Sequence, residues 1–259
     1  MALGYEGYIK IGDSIVLGSG GSVPKNRTRL DSSSAYAGKI SGTGIGIGFP
    51  HTYDWSSWDG NADMELTDDL FATLKSWIVT ERDQTKSISL SSRNTNIQTF
   101  NGYWDSVAFS TSVGALVTAN IGFVALDRTT YDYGLDTQAK TGQTDTVSVP
   151  IPYWKTSIGN YKFMEWNLTF TQEVVKIFAC KNSSVAVAPA YLGVSPVTIS
   201  LTGTYLFSGE MPDSSSLLVT MGNGSFSLSK AEMQTTSDAV QNHNSLTPIN
   251  VSLEAYGVS

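Results

Sequence analysis

Apolar and hydroxyl-bearing residues exchange places along this chain with a period of two. Through Val107, Phe109, Thr111, Val113, Ala115, Val117, Ala119, Ile121, Phe123 and Ala125 the odd positions are mostly apolar, while Ser106, Ser110, Ser112, Thr118 and Asn120 fill even ones. Successive side chains of a strand point to opposite faces, so the pattern predicts two long antiparallel strands, each with one buried and one wet face, turned at Val113-Gly114-Ala115. Val197, Ile199, Leu201, Tyr205 and Phe207 repeat it, with Thr198, Ser200, Thr202 and Thr204 opposite. Shorter strands are expected over 8–17, 87–92, 97–100, 147–153, 164–170, 217–221, 225–229 and 249–256. The fold class this implies is mainly β and mostly antiparallel.

One segment breaks the period. Leu70, Phe71, Leu74, Trp77 and Ile78 fall on a single helical face; Thr67 suits the N-cap, and Asp68 and Asp69 sit where the helix dipole favours anions. A helix over about 67–80, packed on a sheet, is expected. Residues 172–180 are a second helical candidate, although Val174, Val175 and Ile177 suit a strand as well. The Gly- and Ser-rich stretch 18–34 reads as a projecting loop, and Gly42-Thr-Gly-Ile-Gly-Ile-Gly48 as a strand closely approached by another backbone.

A faint internal repeat organises the rest. Val117 to Leu126 lies over Thr247 to Tyr256, with Asn120 over Asn250 and Ala125 over Ala255. Upstream, 106–110 is set against 225–229 and 97–100 against about 216–219, leaving the second copy a long connection over 230–245. The polar, turn-rich 127–146 reads as a connector, giving a first unit over 1–128, a linker over 129–146 and a second unit over 147–259. One large sandwich with chance similarity between two strands is the alternative.

Composition narrows the function. Of 259 residues 41% are hydrophobic and 15% charged, against about 25% charged in an ordinary soluble protein, which suggests that much surface is covered by other copies of the chain. A single cysteine, Cys180, and two histidines, His51 and His243, provide neither an internal disulfide nor a His/Cys zinc set. The net charge of −7 argues against wrapping duplex DNA through phosphate contacts. No basic leader followed by an apolar run is present, and no stretch is apolar enough for a membrane span.

Candidate chemistry is sparse. The Gly42–Gly48 run lacks both phosphate-loop and dinucleotide spacing. Asp59, Asn61 and Asp63 have the spacing of calcium ligands, but Met64 and Leu70 stand where that loop needs Gly and Glu. No Gly-x-Ser-x-Gly elbow accompanies the histidines. No catalytic residue, cofactor or metal is therefore expected, and the chain reads as a non-enzyme. Tryptophans 55, 58, 104, 154 and 166 could form a sugar-stacking platform, although buried aromatics are commoner. Lys25, Arg27 and Arg29 read as partners for acidic residues of a neighbouring subunit.

The ordered pattern of Leu66-Thr-Asp-Asp-Leu-Phe-Ala-Thr-Leu-Lys-Ser-Trp-Ile78, then Ser87-Ile-Ser-Leu-Ser-Ser92, then Phe100 to Asp127 with its Gly-turned strand pair resembles the tail tube proteins of tailed bacteriophages. The match is clearest over 66–127 and weaker in the second half. The resemblance implies two tandem β-sandwich/barrel units of the tail-tube type, each mostly antiparallel. It further implies a structural virion protein of the phage tail, assembled in the bacterial host cytoplasm, with rings stacked into a tube that conducts DNA at ejection. With two units per chain, three subunits would give a pseudo-hexameric ring. Partners would be the chain itself, other tail proteins such as sheath, terminator and baseplate, and DNA passing without sequence-specific binding. The strands carrying Val107, Phe109, Val117, Ile121, Phe123, Val197, Ile199 and Leu201 become candidates for pairing between subunits, and Lys25, Arg27, Arg29 and Asp31 for contacts between rings. A baseplate or tube-tip adaptor of the same fold remains an alternative, as does a carbohydrate-binding adhesin presenting Trp55, Trp58 and Trp154.

Overall fold

The computed structural model describes residues 8–22, 25–26, 29–30, 52–53, 57–91, 96–132, 148–177, 191–206, 215–238 and 248–259. Over these the chain is mainly antiparallel β with one α-helix. The first half contains β1 (Tyr8–Ile11), β2 (Ser14–Ser22), β3 (Lys25–Asn26), β4 (Arg29–Leu30), β5 (Thr52–Tyr53) and β6 (Ser57–Glu65). It continues with α1 (Asp68–Val79), β7 (Lys86–Ser91), β8 (Asn96–Ser112) and β9 (Thr118–Asp132). The second contains β10 (Thr156–Ile158), β11 (Lys162–Thr171), β12 (Val174–Ile177), β13 (Tyr191–Val194) and β14 (Thr198–Leu206), then β15 (Ser215–Met221), β16 (Gly224–Asp238), β17 (Pro248–Ala255) and β18 (Gly257–Val258).

The pairing runs in two cycles. In the first half β1 pairs β2, β2 pairs β6, β6 pairs β9, β9 pairs β8, β8 pairs β7, and β7 returns to β1. In the second the order is β11, β14, β17, β16, β15 and β10, with β10 meeting the start of β11 through the Ile158–Tyr161 bridge. The cycles are joined where 106–112 of β8 pairs with 165–171 of β11. Each opens on a hairpin turned at a left-handed glycine, Gly12 (φ 58°) and Gly159 (φ 51°), in the phrases Ile11-Gly-Asp and Ile158-Gly-Asn. A residue with a Cβ is strained there.

The registers correspond in detail. Asn120 faces Asp63 and Asn250 faces Thr204. A bulge interrupts the ladder between Trp104 and Ser106, and another between Met233 and Thr235. A third lies between Gly18 and Gly20, matched by one between Phe163 and Glu165. In this correspondence Ile88 opposite Phe100 matches Leu217 opposite Leu228. The counterpart of 97–100 is thus 225–228, and that of Ser106 is Thr235, so the upstream alignment expected from sequence is displaced by one strand.

Helix α1 forms as its sequence predicts. The Thr67 hydroxyl accepts from the Leu70 amide at 3.3 Å, and Leu70, Phe71, Leu74, Trp77 and Ile78 are buried. Phe71 packs edge-on against Phe226, 5.1 Å between ring centres, and Phe109, Phe170 and Phe226 complete an aromatic cluster drawn from α1, β8, β11 and β16. The Asp68 carboxylate accepts from the Asn223 amide at 2.9 Å and its Nδ2 at 2.8 Å, while Lys75 Nζ donates to the Ser225 carbonyl at 2.7 Å. The helix thus grips the β15–β16 turn.

Several sequence expectations are corrected. Residues 8–17 form a hairpin rather than one strand, because Gly12-Asp13 turns the chain. Residues 97–100 and 106–110 belong to one long strand, whose extra residue Asp105, between Trp104 and Ser106 in the ladder, shifts the apolar period. Within 147–153 Pro150 and Pro152, which lack an N–H, make only isolated bridges, followed by a 3-10 turn over Tyr153–Lys155. Val174–Ile177 is strand, as its β-branched residues favour, and not helix. The projecting loop assigned to 18–34 holds paired strand at Gly18–Ser22, Lys25–Asn26 and Arg29–Leu30. The start of the expected connector is strand as far as Asp132, and β16 runs on to Asp238 through part of the long connection expected after Lys230. The Gly42–Gly48 run lies outside the described residues.

Candidate functional site

Six strands in succession, β6, β9, β8, β11, β14 and β17, form the widest part of the sheet, and their registers place residues in straight rows. One row runs Asp63, Asn120, Ala108, Thr169, Ser200, Glu254; the next runs Glu65, Thr118, Ser110, Asn167, Thr202, Ser252. A third contains Ser112, Glu165, Thr204 and Asn250. All are exposed or half-buried. The alternating rows are apolar and buried: Met64, Ala119, Phe109, Leu168, Leu201, Leu253 in one and Ala62, Ile121, Val107, Phe170, Ile199 in another. Period-two alternation in each strand, held in register across strands, produces one polar and one apolar sheet face.

The polar face carries Asp63, Glu65, Glu165 and Glu254, and these alternating positions include no Lys or Arg. Its groups bond to one another across strands. The Asn120 amide donates to Asp63, the Thr204 hydroxyl lies 2.7 Å from Asn250 Oδ1 and 3.0 Å from Glu165 Oε1, and Ser110 and Thr118 hydroxyls lie 2.9 Å apart. A groove of 590 Å³ follows this face over the β8–β11 junction, lined by Ser110, Thr118, Glu165, Asn167, Thr204 and Asn250 among others. Such a surface repels phosphate.

The bulge that ends the β7 pairing of β8 is closed from β11. The Gln172 amide donates to the Asp105 carbonyl at 2.9 Å, and Gln172 Nε2 donates to the Trp104 carbonyl at 2.8 Å. Burial pushes the Asp105 carboxyl above its ordinary range, against hydrogen bonds from Ser106, with the Asp59 charge adding to the rise.

The structure distributes the sequence candidates differently. Val107, Phe109, Ile121, Phe123, Ile199 and Leu201 lie buried on β8, β9 and β14, strands paired on both sides within the chain, and Val117 and Val197 flank these strands. Lys25 lies on β3 and Arg29 on β4; Arg27 and Asp31 lie outside the described residues, as do Cys180, His51 and His243. Trp104 and Trp166 are buried and Trp154 is exposed; Trp55 lies outside the described residues and Trp58 is on β6. Asp59, Asn61 and Asp63 alternate along β6 rather than forming a loop. Among the described residues no three His, Cys, Asp or Glu side chains are grouped to hold a metal ion, and no helix is long and apolar enough to cross a membrane. Sequence reasoning saw a wet face on each long strand but not which residues align into the acidic rows, whose signal is the recurrence of Asp, Glu, Asn, Ser and Thr at alternate positions of six separate strands.

No protein-family model matches the chain, and no curated protein matches it in sequence.

Proposed function

We propose that this chain is the subunit of a bacteriophage tail tube, a structural protein whose copies close into rings that stack around a DNA-conducting lumen. The observation that carries this reading is the polar face whose three rows, free of Lys and Arg, run across strands of both halves. Lining a channel, it would present DNA with carboxylates and mutually bonded hydroxyls, so that no counterions are released by phosphate contacts and the duplex slides.

Strand counting supports three copies over one or two. The sheet from β2 through β6, β9, β8, β11, β14 and β17 to β16 is eight strands wide. Closed alone, eight strands leave an interior that side chains fill. Three copies give 24 strands, which at about 4.8 Å each make a circumference near 115 Å and a backbone diameter of about 37 Å before tilt widens it. That leaves a wide aqueous channel after side chains are placed, whereas two copies give only about 24 Å across the backbone. Other tail proteins and passing DNA are the partners in this reading, and the virion tail its location.

Negative-stain microscopy of the concentrated protein tests it. Stacked rings with a central hole are expected. A chain that stays monomeric at every concentration, or that binds glycans through Trp154, would overturn the reading.

A further inference from the structure

Two stretches of edge face no strand among the described residues. One is the outer side of β3 with the end of β2, which pair inwardly with β6; the other is the outer side of 232–238 in β16, which pairs inwardly with β17. Their counterparts in the opposite halves are the two strands that do meet. Lys25 opposite Trp58 and Asn26 opposite Ser57 match Phe170 opposite Ile199 and Thr171 opposite Thr198. Likewise Thr235 opposite Ser252 and Thr236 opposite Val251 match Ser106 opposite Gly122 and Val107 opposite Ile121. Inside the chain Ser106 pairs with Thr171 and Val107 with Phe170.

We propose that two copies of this chain join by repeating that ladder, β16 of one against β2 and β3 of the next, with Thr235 opposite Asn26 and Thr236 opposite Lys25. The inference rests on the ring reading and adds the register. It also exchanges the chemistry of one contact. Phe109 and Phe170 meet at the internal junction with ring centres 6.2 Å apart. In register Asp238 occupies the position of Phe109 and Lys25 that of Phe170, so the proposed contact sets opposite charges where the internal junction sets two rings. Opposite charges on neighbouring strands attract across the diagonal, and a lysine on a sheet edge discourages unregistered pairing until the matching aspartate arrives. Net charge thereby supports specific closure rather than aggregation.

Charge reversal reads this contact. Lys25→Asp and Asp238→Lys are each expected to abolish rings in negative stain, and the double variant to restore them. Rings in both single variants, or none in the double variant while the unaltered protein forms them, would overturn the register and leave the ring reading standing. Absence of rings from the unaltered protein overturns both. Cysteines placed at Asn26 and Thr235 in a Cys180→Ser background give a second measurement. The two positions lie at opposite ends of an eight-strand sheet, about 34 Å apart along it, so a disulfide forms only between copies. A ladder of covalent oligomers after mild oxidation is expected; assembled rings that stay uncrosslinked here but crosslink through Asn26 and Ser237 refute the register.

Discussion

The Asn120 side-chain amide donates to the Asp63 carboxylate across the β9–β6 ladder, and at the matching place in the second half the Thr204 hydroxyl lies 2.7 Å from Asn250 Oδ1. The two asparagines share a position in their ladders and a role, tying the last strand of each cycle to the strand beside it on the polar face. The acidic member of the first pair has become a hydroxyl in the second, while Glu165, 3.0 Å from Thr204, supplies the carboxylate. Negative charge therefore stays on the face although its carrier has moved to another strand.

If that charge keeps DNA from adhering, reversing it makes the face sticky. Tubes of an Asp63→Lys, Glu165→Lys, Glu254→Lys variant should retain duplex DNA that unaltered tubes shed. Retention should fall steeply between about 50 and 200 mM salt as counterions compete. Gel-shift titration across that range checks this, and salt-independent retention would contradict it.

Phe226 touches Phe71, Phe109 and Phe170, joining helix, junction and second half. Truncation to Ala should cost about 3–5 kcal/mol, the usual loss for a buried phenylalanine. Urea unfolding measures it, and a loss below about 1 kcal/mol would show that the cluster collapses around the gap.

At Gly203 a Cβ would stand 2.5 Å from the Glu165 carbonyl oxygen and 2.9 Å from the Phe163 ring. The adjacent bulge between Phe163 and Glu165 brings this backbone close. Gly203→Ala should therefore destabilise by about 3 kcal/mol, the upper part of the overpacking range, as read from the shift in denaturation midpoint at constant m-value.

Asp105 gives a pH signature. Burial raises its carboxyl, so between the ordinary aspartate pKa and the raised native one the folded chain holds more protons than the unfolded chain, and this residue's contribution to stability falls as pH rises. Asp105→Asn should have the higher Tm at pH 7, and its advantage should vanish as pH drops toward about 3.9 and both states protonate. A variant less stable than the parent at pH 7 would remove burial as the dominant cause.

The alternation of hydrophobic and polar residues was enough to identify the fold class, the helix with its Thr67 cap and the long Gly-turned hairpin, because those depend on side chains in sequence order. Backbone pairing was harder to read. Gly18–Ser22 looks like a loop by composition, yet its main chain completes a ladder with β6, and main-chain hydrogen bonds need no particular side chain. The irregularity between Trp104 and Ser106 concealed the length of β8 for the opposite reason: one extra residue moves the apolar period to the other face, so one strand reads as two. The polar face was half legible, since each strand displays its alternation, but only register aligns Asp63, Asn120, Thr169 and Glu254 into one row.

Helix α1 lies between β6 and β7 and reaches over the internal junction to hold Asn223 and Ser225. In the second half the matching stretch, between Leu206 and Ser215, is much shorter. A ring of three copies joined as proposed thus alternates two kinds of seam, three beside the 20-residue stretch 66–85 that carries α1 and three beside the 8-residue stretch 207–214. Bending would concentrate in the second kind, giving a sixfold-looking tube threefold elasticity.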